Sequence, residues 1–286
     1  MDAPLKSSLC TQAQLESAAF RAWCPRLGEG FKLHRKLWEF CYIAQALHER
    51  GLVRPGARGL GFGVGREPLV AYFAGQGCAV VATDLAPEQA QRQGWVDGNQ
   101  HAVTIDHLNE RGLCDPARFR ERVAYRYVDM NAIPDDLRGF DFTWSSCSLE
   151  HLGSITRGAD FLLNQMDCLR PGGVAVHTTE FNLSSETETL DDNDFVVLFR
   201  RGDIHEIARR LADRGHALEL DLTPGDGIAD RFVDLPPYGQ EPHLRLQWDR
   251  FVTTSVGLII EKDRAGAGSI RSFVHRVARR LLRRGA

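Results

Sequence analysis

The sequence has no CxxC pair, and its seven cysteines, at positions 10, 24, 41, 78, 114, 147 and 168, are odd in number and widely spaced. That argues against a disulfide framework or a zinc site and predicts a reducing, cytoplasmic setting. No apolar run approaches the roughly 20 residues needed to span a bilayer. The opening residues MDAPLKSSLC carry an acid at position 2 and no apolar h-region, so no secretory leader is expected. Internal repeats and low-complexity tracts are also absent.

Acidic residues are missing from the C-terminal region. From Arg264 onward there are seven arginines and no Asp or Glu, a charge of +7. Since the whole chain has 35 basic and 38 acidic residues, residues 1–263 hold 28 against 38, or −10. A body that acidic is a poor nucleic-acid binder, because such binding draws most of its affinity from a basic face. With 286 residues and 43% hydrophobic content, the chain can bury a sizeable core.

Strand and helix patterns alternate. The segment FKLHRKLWEFCYIAQALHER carries a helical apolar stripe that stops at Gly51. Short strands are expected in LVRPGARGLGFG, CAVVATD, RVAYRYVDM, FDFTWSS and GGVAVHTTEF, with helical patterns between them. HALELDL and TTSVGLIIEK read as two more. This alternation predicts an α/β fold with a mainly parallel sheet.

The loop GLGFGVGREP places glycine at positions 59, 61, 63 and 65. No Lys-Ser/Thr follows, which excludes a nucleoside-triphosphate loop of the Walker type. In a G-x-G-x-x-G count from Gly59, Gly61 or Gly63, the third glycine position falls on Val64, Arg66 or Pro68. A dinucleotide fingerprint is therefore excluded as well. Taken alone, the loop is also compatible with a tight strand-to-helix turn that only needs close packing.

Four further motifs follow in order. Asp84 closes VVATD, 23 residues after Gly61; Asp129 and Met130 lie in YVDMN; then come FDFTWSSCSLEHL and LRPGGVAVHTTEF. Over residues 52–182 this set resembles the class I S-adenosylmethionine (SAM)-dependent methyltransferases. The resemblance implies a Rossmann-like α/β fold. It would have a seven-stranded, mostly parallel sheet, an antiparallel C-terminal strand, helices on both faces and an N-terminal helical cap. It further implies SAM as cofactor, with contacts from Gly61, Phe62, Gly63, Gly65, Asp84, Leu85, Asp129, Met130 and Ser145. The Asp84 carboxylate would accept the ribose hydroxyls and Met130 would pack on the adenine. One departure stands out: the family's acid two residues before the first loop glycine, which helps hold the methionine amino group, is Gly59 here. Glu67, Arg35, Lys36 and Glu39 are candidates to replace it.

Methyl transfer to an alcohol requires alignment and a group that removes the hydroxyl proton. By the resemblance, the acceptor pocket lies beyond the fourth and fifth strands, which makes His151, Glu150, Glu180 and His177 the catalytic candidates. His151 ranks first as base, against a hydrogen-bonding role at a helix start. His177 alternates with Thr179 rather than Glu180 and can instead be a buried, hydrogen-bonded histidine. No metal-ligand spacing is present, although Glu180 with a histidine, or the Asp191–Asp194 run, leaves a divalent ion such as Mg²⁺ open.

Trp95, Asn182, Tyr238, His243 and Arg245 are the acceptor-binding candidates, with His101 and Trp248 beside them. Their mixture of rings and polar groups suits a sugar, and suits a packed cap equally. In SIRSFVHRVARRLLRRGA the apolar and arginine residues separate onto two helical faces. A basic amphipathic helix over 270–284 is expected at the inner face of a membrane, with an acidic partner or a solubilising tail as alternatives. The expected organisation is an N-terminal helical cap (1–51), a SAM-binding domain (52–263) and the basic tail (264–286). Acceptor-site insertions fall at about 93–120 and 223–252. The whole chain also looks like bacterial methyltransferases of surface-polysaccharide biosynthesis. That implies O-methylation of a sugar hydroxyl in a glycan or polysaccharide precursor, the alternatives being a small metabolite, a protein acceptor, or SAM binding without catalysis at a membrane. Oligomeric state is not legible.

Overall fold

The structure is a computed structural model that describes residues 4–92, 101–102, 104–193 and 195–264. Trp95 and the basic tail lie outside the described residues.

The chain begins with β1 (Ser7–Leu9), α1 (Gln12–Glu16), α2 (Ala18–Arg26) and α3 (Arg35–Glu49). Then β2 (Arg58–Gly61), α4 (Leu69–Gly75), β3 (Ala79–Asp84), α5 (Pro87–Arg92), α6 (Pro116–Arg122) and β4 (Val123–Tyr127) form the first half of the alternating unit. The second half holds β5 (Phe140–Ser146), α7 (Ile155–Asn164), β6 (Leu169–Asn182) and α8 (Arg201–Asp213). It closes with β7 (Ala217–Leu218), β8 (Leu220–Asp221), α9 (Ile228–Arg231), β9 (Leu246–Trp248) and β10 (Phe251–Glu261).

These strands make one sheet of ten, ordered β4-β3-β2-β5-β6-β10-β1-β8, with β7 and β9 also paired to β10. Strands β2 to β6 run parallel and β10 runs antiparallel to β6. This order, reversing between β2 and β5 with the antiparallel β10 beside β6, is the Rossmann-like α/β arrangement expected of a class I methyltransferase. A ligand crevice is expected where the order reverses, at the carboxyl ends of the parallel strands.

The sheet is larger than the seven strands expected because β10 offers a long outer edge. That edge pairs with β9 at residues 251–253, β1 at 256–257 and β7 at 260–261. Covering an exposed edge in pieces removes a template for aggregation. It also corrects the reading of residues 1–51 as a helical cap alone, since β1 is a strand of the sheet.

Alternation along β5 divides the core. Phe142 and Trp144 face α4, where both rings meet Phe73 edge-on. Thr143 and Ser145 face the other way, toward the α7 side. On the first face α3 is buried almost all round, Leu37 to Ala44 and Ala46 to Leu47, because it is sandwiched between the sheet and α2. Helix α3 stops before Gly51, whose φ of 65° supplies the left-handed conformation a side chain would resist. No helix among the described residues is long and apolar enough to cross a membrane.

Candidate active site

The carboxyl ends of β2 to β5 open onto a cavity of about 670 Å³. Gly63, Gly65, Asp84, Leu85, Asp129 and Met130 line it, so residues from three sequence motifs meet at one wall. Asp84 is held rigidly: Gly65 N donates to one carboxylate oxygen at 2.9 Å and Leu85 N to the other at 2.8 Å. Burial nevertheless raises its pKa. Gly63 has φ 55°, and a Cβ there would lie 2.8 Å from the Ser148 side chain. The loop backbone therefore borders the cavity with no side chain over it.

Three cofactor candidates lie elsewhere. Gly61 does not line the cavity; a Cβ there would meet Val64 at 2.5 Å and Trp144 at 2.8 Å, so this glycine makes room for core packing. Phe62 is fully buried and meets Phe161 edge-on at 5.1 Å on the α7 face. Ser145 points to that same face, within 2.8 Å of His177 Nδ1. Because side chains alternate along a strand, its neighbour Ser146 lines the cavity instead, followed by Cys147 and Ser148.

Gly59 explains the missing acid. A Cβ there would lie 2.5 Å from the Phe142 ring, so no longer side chain fits. A further carboxylate in the cavity is that of Glu67, which is 6% exposed and accepts a hydrogen bond from Trp144 Nε1. Burial pushes its pKa up to about 8, against the Trp144 bond and the Lys36 charge. Among the described residues no cation lies within ion-pair distance of it. Lys36 lines the same cavity but pairs with Glu39 at 2.8 Å.

The four catalytic candidates separate. His151 lines the cavity, and its Nδ1 is bonded to the Phe195 carbonyl. Burial lowers its pKa to about 4, so the ring is neutral at physiological pH. His177 is a core residue at 0% exposure, edge-on to Phe161, on the opposite face of the sheet. Glu150 and Glu180 line neither this cavity nor the one described below. They belong to a charged layer between β5, β6, β10 and the start of α3.

In that layer Arg35 pairs with Glu180 and lies 3.7 Å from Glu39, while Thr253 Oγ1 donates to Glu180 at 2.7 Å. Glu39 also accepts from Ser146, Cys147 and Ser255. Burial alone would raise the Glu39 pKa, but Lys36 and Arg35 hold it at about 2. Glu150, which lies near the Glu180 charge and accepts from Thr179 Oγ1 at 3.0 Å, is pushed by burial to about 8. Ligand atoms of Cys147, Glu150 and Glu180 fall within 4.8 Å of one another, yet they do not suit Mg²⁺. One of the three is a soft thiol, and the Arg35 guanidinium already supplies the positive charge beside Glu180 and Cys147.

A second cavity, of about 530 Å³, adjoins the first; His34 lines both. It contains Tyr238 and His243 of the acceptor candidates, with Trp248, Lys32 and Glu241. Two backbone bonds, Arg35 N to His243 O at 2.9 Å and His243 N to Leu33 O at 2.7 Å, join the start of α3 to the loop before β9. The His34 and His243 rings stack at 4.5 Å. Buried Asp234 accepts from His243 Nδ1 at 2.6 Å. Arg245 instead donates to Gly225 O, and Asn182 organises the following turn through Ser184 N and Glu188 O. Both are loop-building residues. Neither Asp234 nor His34 stood out in the sequence: His34 meets His243 from a distant segment, whereas Asp234 meets His243 and Gly239 within its own loop.

No protein-family model matches the chain, and no curated protein matches it. Solved structures resemble it in fold. A 1,6-didemethyltoxoflavin-N1-methyltransferase from Burkholderia thailandensis, holding its acceptor and S-adenosylhomocysteine, is 18% identical over 88% of this chain and 81% of its own, with a TM-score of 0.46. The methyltransferase domain of a bacterial CtHen1-CN is 13% identical over 80% of this chain and 100% of its own, at 0.48. A SAM-dependent methyltransferase from Mesorhizobium loti is 16% identical over 77% and 98%, at 0.43.

Proposed function

We propose that the protein is a SAM-dependent methyltransferase that binds its cofactor in the first cavity and methylates a hydroxyl of a sugar-containing acceptor. The observation that carries the reading is the convergence of the Gly63–Gly65 backbone, the rigidly held Asp84 carboxylate and the Asp129–Met130 pair on one wall at the sheet's switch point. Two features suit SAM in particular: a loop backbone that borders the cavity at Gly63 and Gly65 without a side chain, and Glu67, a buried carboxylate with no ion-pair partner among the described residues. When bound, SAM supplies an activated methyl group on a sulfonium.

Asp84 would accept the ribose hydroxyls, and Asp129 and Met130 would border the adenine. Glu67 replaces the acid excluded at Gly59 and receives the methionine ammonium. His151, which lines the cavity with its Nδ1 bonded to the Phe195 carbonyl and its ring neutral, takes the hydroxyl proton. Glu180 and Glu150 act behind the wall by holding Arg35 and Thr179 in place. The acidic body and the ring-lined second cavity support a carbohydrate acceptor over nucleic acid, as in polysaccharide precursor O-methylation. We place the enzyme at the inner membrane face through the basic segment 270–284. Co-sedimentation with anionic liposomes tests this; equal pelleting of the full chain and a chain ending at Asp263 would remove that anchor. A methyl-donor turnover screen against sugar nucleotides and glycan oligomers tests the activity, and turnover on none of them would remove the sugar reading.

A further inference from the structure

The stacked imidazoles of the second cavity have fixed and opposite tautomers. His243 Nδ1 faces the Asp234 carboxylate, which also accepts from Gly239 N at 3.2 Å. An ionised carboxylate only accepts, so Nδ1 carries a proton, and in the neutral ring His243 Nε2 presents a lone pair. His34 is the reverse. The Lys36 backbone N–H donates to His34 Nδ1 at 3.0 Å as part of the α3 N-cap, so the proton of the neutral ring resides on Nε2. Burial, with the neighbouring His243 and Lys32, keeps that ring neutral, its pKa near 3. Among the described residues neither Nε2 has a hydrogen-bond partner.

One donor and one acceptor therefore stand side by side, on rings 4.5 Å apart, in a cavity walled by Tyr238, Leu246 and Trp248. A hydroxyl can serve as either donor or acceptor, and adjacent hydroxyls on a ring can serve as one of each. The apolar wall suits the C–H face of the same ring. The charged groups present do not favour an anion: Lys32 has Glu29 at 3.8 Å, Arg35 is paired with Glu180, and the Glu241 carboxylate lies in the wall, accepting from Leu33 N at 2.5 Å.

We propose that the second cavity is the acceptor site and that it recognises a vicinal diol of a carbohydrate. One hydroxyl donates to His243 Nε2 and its neighbour accepts from His34 Nε2–H. Because His34 also borders the first cavity, a diol held there lies against the wall the two cavities share. The proposal rests on the methyltransferase reading for its purpose, though not for the binding itself.

Saturation-transfer NMR with methyl α-D-mannopyranoside, methyl α-D-glucopyranoside and a fully O-methylated glucoside tests it. The wild-type protein should saturate at least one free glycoside and not the methylated one. His243→Asn keeps an amide donor for Asp234, and His34→Asn keeps a capping acceptor. Each should weaken the signal about fivefold or more, the loss of one hydrogen bond in a partly dry site. Melting curves and S-adenosylhomocysteine calorimetry on the same samples report folding and the first cavity. No saturation of either free glycoside, or equal saturation in both variants, overturns the proposal. Glycoside binding without S-adenosylhomocysteine binding would instead overturn the methyltransferase reading alone.

Discussion

The two cavities differ in how they are built. The first is assembled from the ends of neighbouring parallel strands, so each contributor lies at a strand terminus and carries a short local signature. The second joins residues 32–35 to residues 238–248, segments some 200 positions apart held by two backbone hydrogen bonds. Topology dictates the first and loop geometry the second. Chemistry that a parallel sheet delivers to its switch point is open to sequence reasoning, whereas chemistry that two loops bring together is not.

This contrast can be broken by substitution. The largest effect is expected for Asp84→Ala. Losing a buried carboxylate that would bond two hydroxyls should weaken S-adenosylhomocysteine binding about 100-fold or more by calorimetry. Glycoside saturation at the second cavity should persist; joint loss of both would show that the cavities are one site.

His151→Ala should lower kcat about 100-fold while leaving S-adenosylhomocysteine affinity intact. As the ring's pKa is near 4, kcat should stay flat from neutral pH down to mildly acidic pH and fall as pH approaches 4 and the base becomes protonated. Unchanged turnover in the variant would remove His151 as the base.

Restoring the family's acid should harm rather than help. Gly59→Asp forces atoms into the Phe142 ring, and overpacking of that kind costs about 1–3 kcal/mol of stability. A lower melting temperature without tighter binding is expected; a variant that binds more tightly would contradict the assignment of Glu67.

Glu67→Gln should weaken S-adenosylhomocysteine binding about tenfold, the value of one charge-assisted hydrogen bond. There is also a proton signature. With a pKa near 8, the free carboxyl is mostly protonated at pH 7, and pairing with an ammonium requires its ionised form. Binding at pH 7 should therefore release a proton, seen as a dependence of the binding heat on buffer ionisation enthalpy. That dependence should vanish in the variant, and affinity should rise as pH increases toward 8.

Much of the fold was legible because strand and helix patterns alternate cleanly and the glycine loop sits between a strand and a helix. That Asp84, Asp129 and Met130 border one cavity was legible for the same reason. Ser145 was misplaced by one residue, and a period of two sends such an error through the sheet to the opposite face. Gly61 and Phe62 fell within the right loop, but the ring of Trp144 and the α7 face claim them. The charged layer of Arg35, Glu39, Glu150 and Glu180 was readable only as separate residues, because α3 reaches β6 and β10 across more than a hundred positions. Gly59 looked like a defect in the motif; with Phe142 beside it, it is a packing requirement.

The most direct test of the central claim is calorimetric titration of S-adenosylhomocysteine into the wild-type protein. Saturable one-to-one binding, lost in Asp84→Ala protein that still melts cooperatively, is the predicted result. An absence of binding heat under conditions where the wild-type protein is folded would contradict the account.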